Sequence, residues 1–377
     1  MKKYTLIVLL ISLWSCHSIK NKNTSANLVK NSTQTNTSIK GLRFIGEQVI
    51  PSDNLFKNTK VGGLSSVDYV AGKYYVISDD RKKSIRFYEM DLTYDKNSFS
   101  NVTITNVTTI ENDTKGLDPE SLRLDKNTNH FFWSSEGFAK KGVSPTIFEI
   151  DRNGNAIKTH QTPPIFQAKY HTKDIGTRRN GTFEGLSMSV NPDYYWVGME
   201  LPLKQDGEEP QLYEGKYPIR ISKINKKTDE LVYQFAYMLD KIPRNSIPKN
   251  KFLVNGCPEI LEISETQFLF IERAYASGHK DGGNTIKIYL VDFSKATNIY
   301  KTKALKNQEY IAAEKTLLFN FESLRPKLTN GIIDNIEGIT FGKNLANGNK
   351  SLVLVSDNNF NKFGKQLSQF IVLEVLE

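Results

Sequence analysis

The stretch from Phe183 to Glu200, FEGLSMSVNPDYYWVGME, has the alternating pattern of a β-hairpin with a carboxylate at each open end. Because the two strands of a hairpin run antiparallel, the start of the first strand lies beside the finish of the second. We therefore expect Glu184 and Glu200 to lie close together at one end of this hairpin.

The same arrangement recurs along the chain in four further copies. These copies run from Gly62 to Asp79, from Glu120 to Glu136, from Glu259 to Glu272 and from Glu337 to Asp357. In the first copy, Gly62 stands where the others have the leading glutamate. Further strand-like runs follow each hairpin, and four short antiparallel strands per repeat are typical of a propeller blade.

We predict an all-β fold, a β-propeller with five blades. The fifth copy stops one strand short of a full blade, whereas the strand-like run 41–51 precedes the first copy without a partner. Pairing of these N- and C-terminal strands would close the ring and remove exposed sheet edges. A six-bladed ring is the alternative, if residues 289–321 contain a blade of their own.

The composition is compatible with one large domain. The chain has 377 residues, of which 38% are hydrophobic, so it can bury a sizeable core. Its net charge of +9 is spread along the sequence, and no basic block is interleaved with aromatic residues. This distribution argues against a nucleic-acid partner. We expect a monomer.

The N-terminus has the pattern of an export signal. Lys2 and Lys3 precede an apolar run that ends at Leu13-Trp14-Ser15-Cys16 and is too short for a membrane span. The ending is similar to a bacterial lipobox. We therefore predict a signal peptide over 1–15 and a lipid anchor at Cys16.

A flexible linker is predicted over 16–40, which is rich in Asn, Thr, Ser and Lys. The folded domain would then span 41–377. It would be held at the bacterial cell envelope by the lipid alone, on the periplasmic or the surface face of the outer membrane. The alternative is an ordinary signal peptide with an incidental cysteine.

Acidic residues of the five copies should ring one mouth of the central channel, because the first strand of each blade lines that channel. The candidate metal ligands are Glu120, Glu184, Glu200, Glu259, Glu272, Glu337, Asp79, Asp357 and Glu136. Carboxylates so close raise one another's pKa or require a cation, and oxygen donors in this number suit Ca²⁺. The five histidines show no zinc-binding spacing. The alternative is that these acids cap strand ends or pair with arginines.

Four of these runs resemble the phytase-like domain family, also described as esterase-like activity of phytase. The runs are Gly62-Gly63-Leu64-Ser65, Leu117-Asp118-Pro119-Glu120-Ser121-Leu122, Phe183-Glu184-Gly185-Leu186-Ser187 and Asn335-Ile336-Glu337-Gly338-Ile339-Thr340. The resemblance covers residues 42–376, and it implies a β-propeller with functional Glu and Asp residues that hydrolyses a phosphoester or phosphodiester. The Asp-x-Asp-Asp-Pro signature of the alkaline β-propeller phytases is absent from the sequence, so phytate is not the expected substrate.

We accordingly expect an exported, metal-dependent hydrolase with Ca²⁺ as its cofactor and an anionic small molecule or phosphoester as its substrate. The expected catalytic residues are Glu184, Glu337, Glu120, Arg81 and Arg273. Arg81 and Arg273, together with Arg179, would hold phosphate oxygens by bidentate bonds. The alternative is a non-catalytic propeller that binds an envelope glycan or protein at the same mouth.

Overall fold

Five four-stranded antiparallel sheets form the fold, which the computed structural model describes for residues 39–81, 84–111 and 116–377. The first strands of neighbouring sheets contact one another around a ring. This is the all-β, five-bladed propeller that the sequence predicts. The predicted signal peptide, Cys16 and the linker up to residue 38 lie outside the described residues.

Each blade begins with a strand that lines the channel and adds three strands outward. Blade 1 comprises Leu64–Val70, Lys73–Ser78, Arg86–Tyr94 and Phe99–Thr109. Blade 2 comprises Pro119–Asp125, His130–Ser135, Thr146–Ile150 and Ala156–Thr159. Blade 3 comprises Phe183–Met188, Tyr194–Met199, Pro218–Asn225 and Leu231–Met238. Blade 4 comprises Leu253–Ser264, Gln267–Ala276, Asn284–Asp292 and Glu314–Asn320. Blade 5 comprises Ile336–Phe341, Ser351–Ser356, Ser368–Leu376 and Gly41–Ile50.

Smaller elements lie between the blades. A two-stranded hairpin, Leu55–Phe56 with Thr59–Lys60, precedes blade 1. Short 3-10 helices lie at Ala139–Lys141, Pro164–Phe166, Ala168–Tyr170, Phe321–Lys327, Thr329–Gly331 and Asn359–Asn361. In the described part of the chain, no helix is long and apolar enough to cross a lipid bilayer.

Blade 5 is completed by the first strand of the chain, as predicted. Gly41–Ile50 pairs antiparallel with Ser368–Leu376, with Phe44 opposite Leu373. Two residues of the predicted linker belong to the fold, because Ile39 is buried and the Lys40 N–H donates to Leu376 O at 2.8 Å. The ring is therefore closed by backbone hydrogen bonds between the two ends of the domain.

The alternative of a sixth blade does not hold. The strands on either side of residues 293–313, Asn284–Asp292 and Glu314–Asn320, pair with each other and are the outer half of blade 4. The connection between them packs Ile299 and Leu305 against Ala236 of blade 3. It is a long loop that covers the outside of the ring.

Aromatic side chains fill the spaces between blades. Between blades 3 and 4, the rings of Trp196 and Phe268 meet edge to face with centroids 5.2 Å apart, and Phe235 stacks on Phe293 at 4.8 Å. Each fully buried side chain of this size contributes about 1.5–3 kcal/mol by its removal from water. This packing holds the blades at fixed positions around the channel.

The two faces of the ring carry connections of different length. Because strand direction alternates, the start of each first strand and the end of each second strand lie on the same face. The loops that connect one blade to the next lie on this same face, including residues 160–182 and 239–252. The opposite face has mostly short turns, such as 71–72. We call the face with the long connections the mouth. Long loops on a rigid scaffold are where functional groups concentrate.

Candidate active site at the mouth of the channel

A β-bulge interrupts the first strand of every blade at the same level near the mouth. At each bulge the register with the second strand shifts by one residue. The first unpaired residues of these bulges in blades 1 to 5 are Ser65, Glu120, Glu184, Cys257 and Glu337, and blades 2 to 4 leave the following residue unpaired as well. A bulge re-aims the extra side chain and is frequent beside active sites. Three blades therefore present a glutamate at the same height.

Four blades add a second carboxylate just past the end of the second strand. The N–H of Glu136 donates to Asp118 O at 3.0 Å, and the N–H of Glu200 donates to Thr182 O at the same distance. Equivalent bonds fix Asp79 and Asp357. We call the seven carboxylates of these two sets the acid ring; they are Asp79, Glu120, Glu136, Glu184, Glu200, Glu337 and Asp357.

Blade 4 departs from this pattern. Its register pairs Gly256 with Arg273, and Glu259 lies two residues beyond the bulge at Cys257. The prediction that Glu259 leads its blade as Glu120 leads blade 2 is therefore wrong by two residues. The two extra positions carry Glu259 down the channel, away from the mouth.

Arg123 ties the blades together at this deeper level. Its guanidinium donates to carbonyls of three other blades, at 2.7 Å to Leu186 O, 2.9 Å to Val67 O and 2.9 Å to Ile339 O. Its Nη2 also lies 2.8 Å from Glu259 Oε2 of blade 4. Since Arg123 itself belongs to blade 2, all five blades meet at this side chain.

Glu259 has a full set of partners. Besides Arg123, its carboxylate accepts from Ser121 Oγ at 2.7 Å and from the N–H groups of Leu186 at 2.8 Å and Ile260 at 3.1 Å. We call Arg123 and Glu259 the channel ion pair. Glu259 is a structural acid and not a member of the acid ring.

Glu272 also lies outside the acid ring. Adjacent residues of a strand point to opposite faces of the sheet, and Arg273 is the one that reaches the mouth. The Glu272 carboxylate accepts instead from Tyr237 Oη at 2.6 Å, Lys315 Nζ at 2.6 Å and Asn255 Nδ2 at 3.0 Å. The prediction that Glu272 rings the mouth is wrong for this reason.

Arg273 is the contribution of blade 4 to the mouth. Its Nη2 lies 2.8 Å from Glu200 Oε1 and 3.4 Å from Glu337 Oε1. Gly256 makes room for this contact, because a Cβ at that position would lie 2.5 Å from Cγ of Glu200. One blade therefore places a cationic group among the carboxylates of the other four.

Two overlapping groups of carboxylates have oxygens close enough to share a cation. They are Glu120, Glu136 and Glu184 in one group and Asp79, Asp118 and Glu120 in the other, with one oxygen of each residue within 4.8 Å of the others in its group. Glu120 belongs to both, is 8% exposed, and its carboxylate makes no hydrogen bond or ion pair within the described residues. Asp79 Oδ1 is also buried without a hydrogen-bond partner there.

Crowding shifts the titration of these acids. Burial, followed by the charge of Glu184, raises the pKa of Glu120 well above its ordinary value, and burial with Glu136 does the same for the pKa of Glu184. Burial raises the pKa of Asp79 to about 6, and burial with the charge of Asp79 raises the pKa of Asp357 to about 7. Near neutral pH, part of the ring therefore keeps its protons unless a cation replaces them.

Arg81 borders the ring on the side of blade 1. It is paired with the buried carboxylate of Asp118, and its Nη2 lies 3.5 Å from Glu136 Oε2. Its side chain is 48% exposed. Arg179 is exposed on the loop before blade 3 and forms no ion pair in the part of the chain that the structure describes. Arg81, which contacts Glu136 of the acid ring and is half exposed, can therefore reach a molecule at the mouth.

The donor set fits a hard divalent cation. Both carboxylate groups offer only oxygen atoms, which Ca²⁺ prefers, and the buried Glu120 has no positive partner of its own among the described residues. Neither group contains a histidine. The residues therefore fit Ca²⁺ better than zinc, and Glu120, Glu136 and Glu184 would hold it.

Asp118 is a candidate site residue that the sequence analysis missed. It lies in the run Leu117-Asp118-Pro119-Glu120, two residues before Glu120, and its side chain is 1% exposed. Residues two apart on an extended segment share a face, so Glu120 itself was the signal for Asp118.

A five-bladed propeller in which carboxylates of four blades converge on one mouth is the class of protein that these observations define. The family model described as Phytase-like, esterase-like activity of phytase, matches residues 59–360. The chain belongs to this family, which confirms the resemblance drawn from its sequence motifs. No curated protein matches the sequence.

Several solved structures are similar in fold. A thermostable family-43 glycoside hydrolase has 9% identity and a TM-score of 0.45, over 84% of this chain and 94% of that one. The catalytic domain of a GH62 α-L-arabinofuranosidase from Coprinopsis cinerea has 9% identity and a TM-score of 0.45, over 89% of this chain and 98% of that one. The Dos1 propeller has 9% identity and a TM-score of 0.33, over 84% and 68%. No activity is transferred from these proteins.

Proposed function

We propose that the acid ring binds Ca²⁺ and that the protein hydrolyses a phosphoester or phosphodiester at the mouth. The observation that carries the proposal is Glu120, a buried carboxylate without a partner in the described residues and within 4.8 Å of donor oxygens from two other glutamates. Buried acids with a structural role have donors, as Glu259 and Glu272 do. Family membership supports the same conclusion.

Different residues at the mouth would have different roles in such a reaction. A divalent cation supplies Lewis-acid chemistry when bound, by polarising a phosphoryl oxygen and lowering the pKa of a water. Glu120, Glu136 and Glu184 hold the cation, and the Glu136 carboxylate is itself fixed by the N–H of Thr182 at 2.8 Å. Arg81 and Arg273 offer N–H donors to the remaining phosphate oxygens.

Glu337 is placed to act as the proton donor. Burial, followed by the charge of Asp357, raises its pKa well above the ordinary value. Asn335 Nδ2 donates to its Oε1 at 2.8 Å and fixes the side chain. As water attacks phosphorus and the P–O ester bond breaks, the leaving alcohol needs a proton, which a carboxyl group of raised pKa can give. The proton that the attacking water releases passes to solvent, from which Glu337 is reprotonated.

The experiment that tests this function is a panel of p-nitrophenyl phosphate, bis-p-nitrophenyl phosphate and p-nitrophenyl acetate, each assayed in millimolar Ca²⁺ and in chelator. We expect turnover of a phosphoester in Ca²⁺, loss in chelator, and a loss of at least about a hundredfold in Glu184→Gln, the scale of removing one group that stabilises the transition state. Glu230→Gln is the matched control, because Glu230 lies in a turn of the same blade at the opposite face.

Absence of cation-dependent turnover on every ester, in protein that binds Ca²⁺, would refute the hydrolase. It would leave a propeller that binds an envelope glycan or protein through its mouth. Activity that Glu184→Gln retains in full would place the chemistry elsewhere on the molecule.

We also propose that the protein is exported and anchored to the cell envelope through Cys16, from the order of Lys2, Lys3, the apolar run and that cysteine. Metabolic labelling with an alkyne fatty acid should tag the wild type. Equal labelling of Cys16→Ala would show that this cysteine is not the anchor.

A further inference from the structure

We propose that Arg81 occupies the second of two cation positions that share Glu120, so that the native mouth holds one divalent cation and one guanidinium. This inference rests on the proposed function for the first position and concerns the same site. Asp79, Asp118 and Glu120 would then form a site for a hard divalent cation. In the native protein, the guanidinium of Arg81 keeps a cation out of that site.

The first step of the argument is the overlap of the two carboxylate groups. Glu120, Glu136 and Glu184 form one group and Asp79, Asp118 and Glu120 the other, and in each the three donor oxygens lie within 4.8 Å of one another. The two groups therefore offer two positions for a positive charge that share the Glu120 carboxylate.

The second step is the buried carboxylate that has no positive partner. Glu120 is 8% exposed and its carboxylate makes no hydrogen bond or ion pair within the described residues, although it is a member of both groups. Asp79 Oδ1 is likewise buried without a hydrogen-bond partner in those residues. Oxygens so placed require a positive charge or a proton.

The third step is the position of Arg81. Its guanidinium is paired with Asp118 of the second group and lies 3.5 Å from Glu136 Oε2 of the first. The positive charge is therefore already at the second position, where it would repel an incoming cation. Its side chain is 48% exposed, so the guanidinium enters from the solvent side and can be removed without opening the core.

Arg81 consequently determines how many divalent cations bind at the mouth. Removal of its charge leaves the Asp118 carboxylate, 1% exposed, without a charged partner in the described residues, beside Asp79 and Glu120. A second Ca²⁺ can then satisfy all three. A lysine at the same position keeps the charge and should keep the second position closed.

The test is the number of Ca²⁺ ions bound per chain, measured by isothermal titration calorimetry and by elemental analysis after gel filtration. We expect one ion in the wild type and in Arg81→Lys, two in Arg81→Met, and one again in Arg81→Met with Asp118→Asn. Circular dichroism at each metal concentration reports whether a variant is folded.

Arg244→Met is the matched control. Arg244 pairs with Asp281 at 2.6 Å on the same face, and Asp281 belongs to neither carboxylate group. The number of ions should therefore stay at one.

The outcomes separate this inference from the proposed function. Equal numbers of ions in wild type and Arg81→Met overturn the inference, whatever that number is. No ion in the wild type and one in Arg81→Met would support it while removing the cation from the proposed reaction. A second ion that persists in Arg81→Met with Asp118→Asn also contradicts it, because that ion would lie elsewhere.

Discussion

Glu120 of the acid ring and Glu259 of the channel ion pair are both glutamates on the first strand of a blade, yet their surroundings are opposite. Glu259 is completely buried and accepts from an arginine, a serine and two backbone N–H groups. Glu120 is 8% exposed and has no such partner in the described residues.

The pKa values of the Glu259 and Glu120 carboxyl groups differ for the same reason. Burial raises the pKa of Glu259 to about 7, but Arg123 and the hydrogen bonds oppose that rise. At Glu120, burial and the neighbouring carboxylates all raise the pKa. A buried acid whose surroundings supply donors holds the fold together, whereas one whose surroundings supply only more acid is available to a ligand.

The largest expected effect is a loss of folding stability when the channel ion pair is broken. Arg123→Met leaves Glu259 buried without its cation and removes bonds to three other blades, so we expect a loss of about 3–5 kcal/mol in the free energy of unfolding. Urea denaturation measures it.

The double variant Arg123→Met with Glu259→Gln is the control for this prediction. It removes both charges and should recover part of the loss. A loss below about 1 kcal/mol in Arg123→Met would show that the channel ion pair does not hold the blades together.

A smaller effect is expected when Ca²⁺ is added. A cation that binds only the folded state stabilises it by about 2.7 kcal/mol when its free concentration is a hundredfold above its dissociation constant. The melting temperature of the wild type should therefore rise with millimolar Ca²⁺ and fall with chelator. Glu120→Gln and Glu184→Gln should each reduce this shift sharply, because each removes a carboxylate oxygen that would hold the cation.

Glu272→Gln sharpens the same comparison. Its carboxylate is bonded to Lys315 and Tyr237 outside the ring, so the variant can be less stable but should keep the full Ca²⁺ shift. A shift that disappears in Glu272→Gln as completely as in Glu120→Gln would mean that Ca²⁺ does not bind at the ring.

The smallest expected effect is on the pH dependence of stability without metal. The raised pKa values of Asp79, about 6, and Asp357, about 7, mean that the folded state holds protons that the unfolded chain has released. Stability contributed by those protons is therefore lost as pH rises from about 4 to about 7. We expect this fall to be well below the sum of the two separate shifts, because the charge of Asp79 is part of what raises the pKa of Asp357 and the two groups titrate as a pair.

Thermal melts at a series of pH values in chelator measure this fall. Asp357→Asn should flatten the profile, and saturating Ca²⁺ should flatten it as well. A profile that rises over the same range would contradict the crowding of ionised carboxylates at the mouth.

Sequence reasoning predicted the propeller, its closure and all seven residues of the acid ring, together with Glu259 and Glu272 that lie outside it, because these features repeat. A pattern of strand, turn and acid at regular positions, as at Glu184 and Glu200, specifies both the blade and the face on which the acids lie. The number of blades was confirmed because the first strand completes the last sheet.

Blade 4 could not be predicted in the same way. Its leading acid, Glu259, was aligned by residue type, but the bulge at Cys257 shows that the aligned position is two residues earlier. Bulges depend on hydrogen-bond register between strands, which a sequence pattern does not contain. Sequence reasoning also missed Arg123 as a link between all the blades. Three of its partners are backbone carbonyls, which every residue has, so the sequence does not show which residues it will contact.

The strand that closes the ring comes before all other blade strands in the chain and pairs with the last of them. Gly41–Ile50 finds its partner only when Ser368–Leu376 has been made, and the ion pair of Arg43 with Glu374 spans 331 positions of the chain. Until then the nascent chain carries an unpaired strand, and pairing at such separation is slow. Blade 5 also brings Glu337 and Asp357, so the full set of carboxylates at the mouth is assembled only when this blade forms. Closure of the ring and completion of the acid ring are therefore the same event.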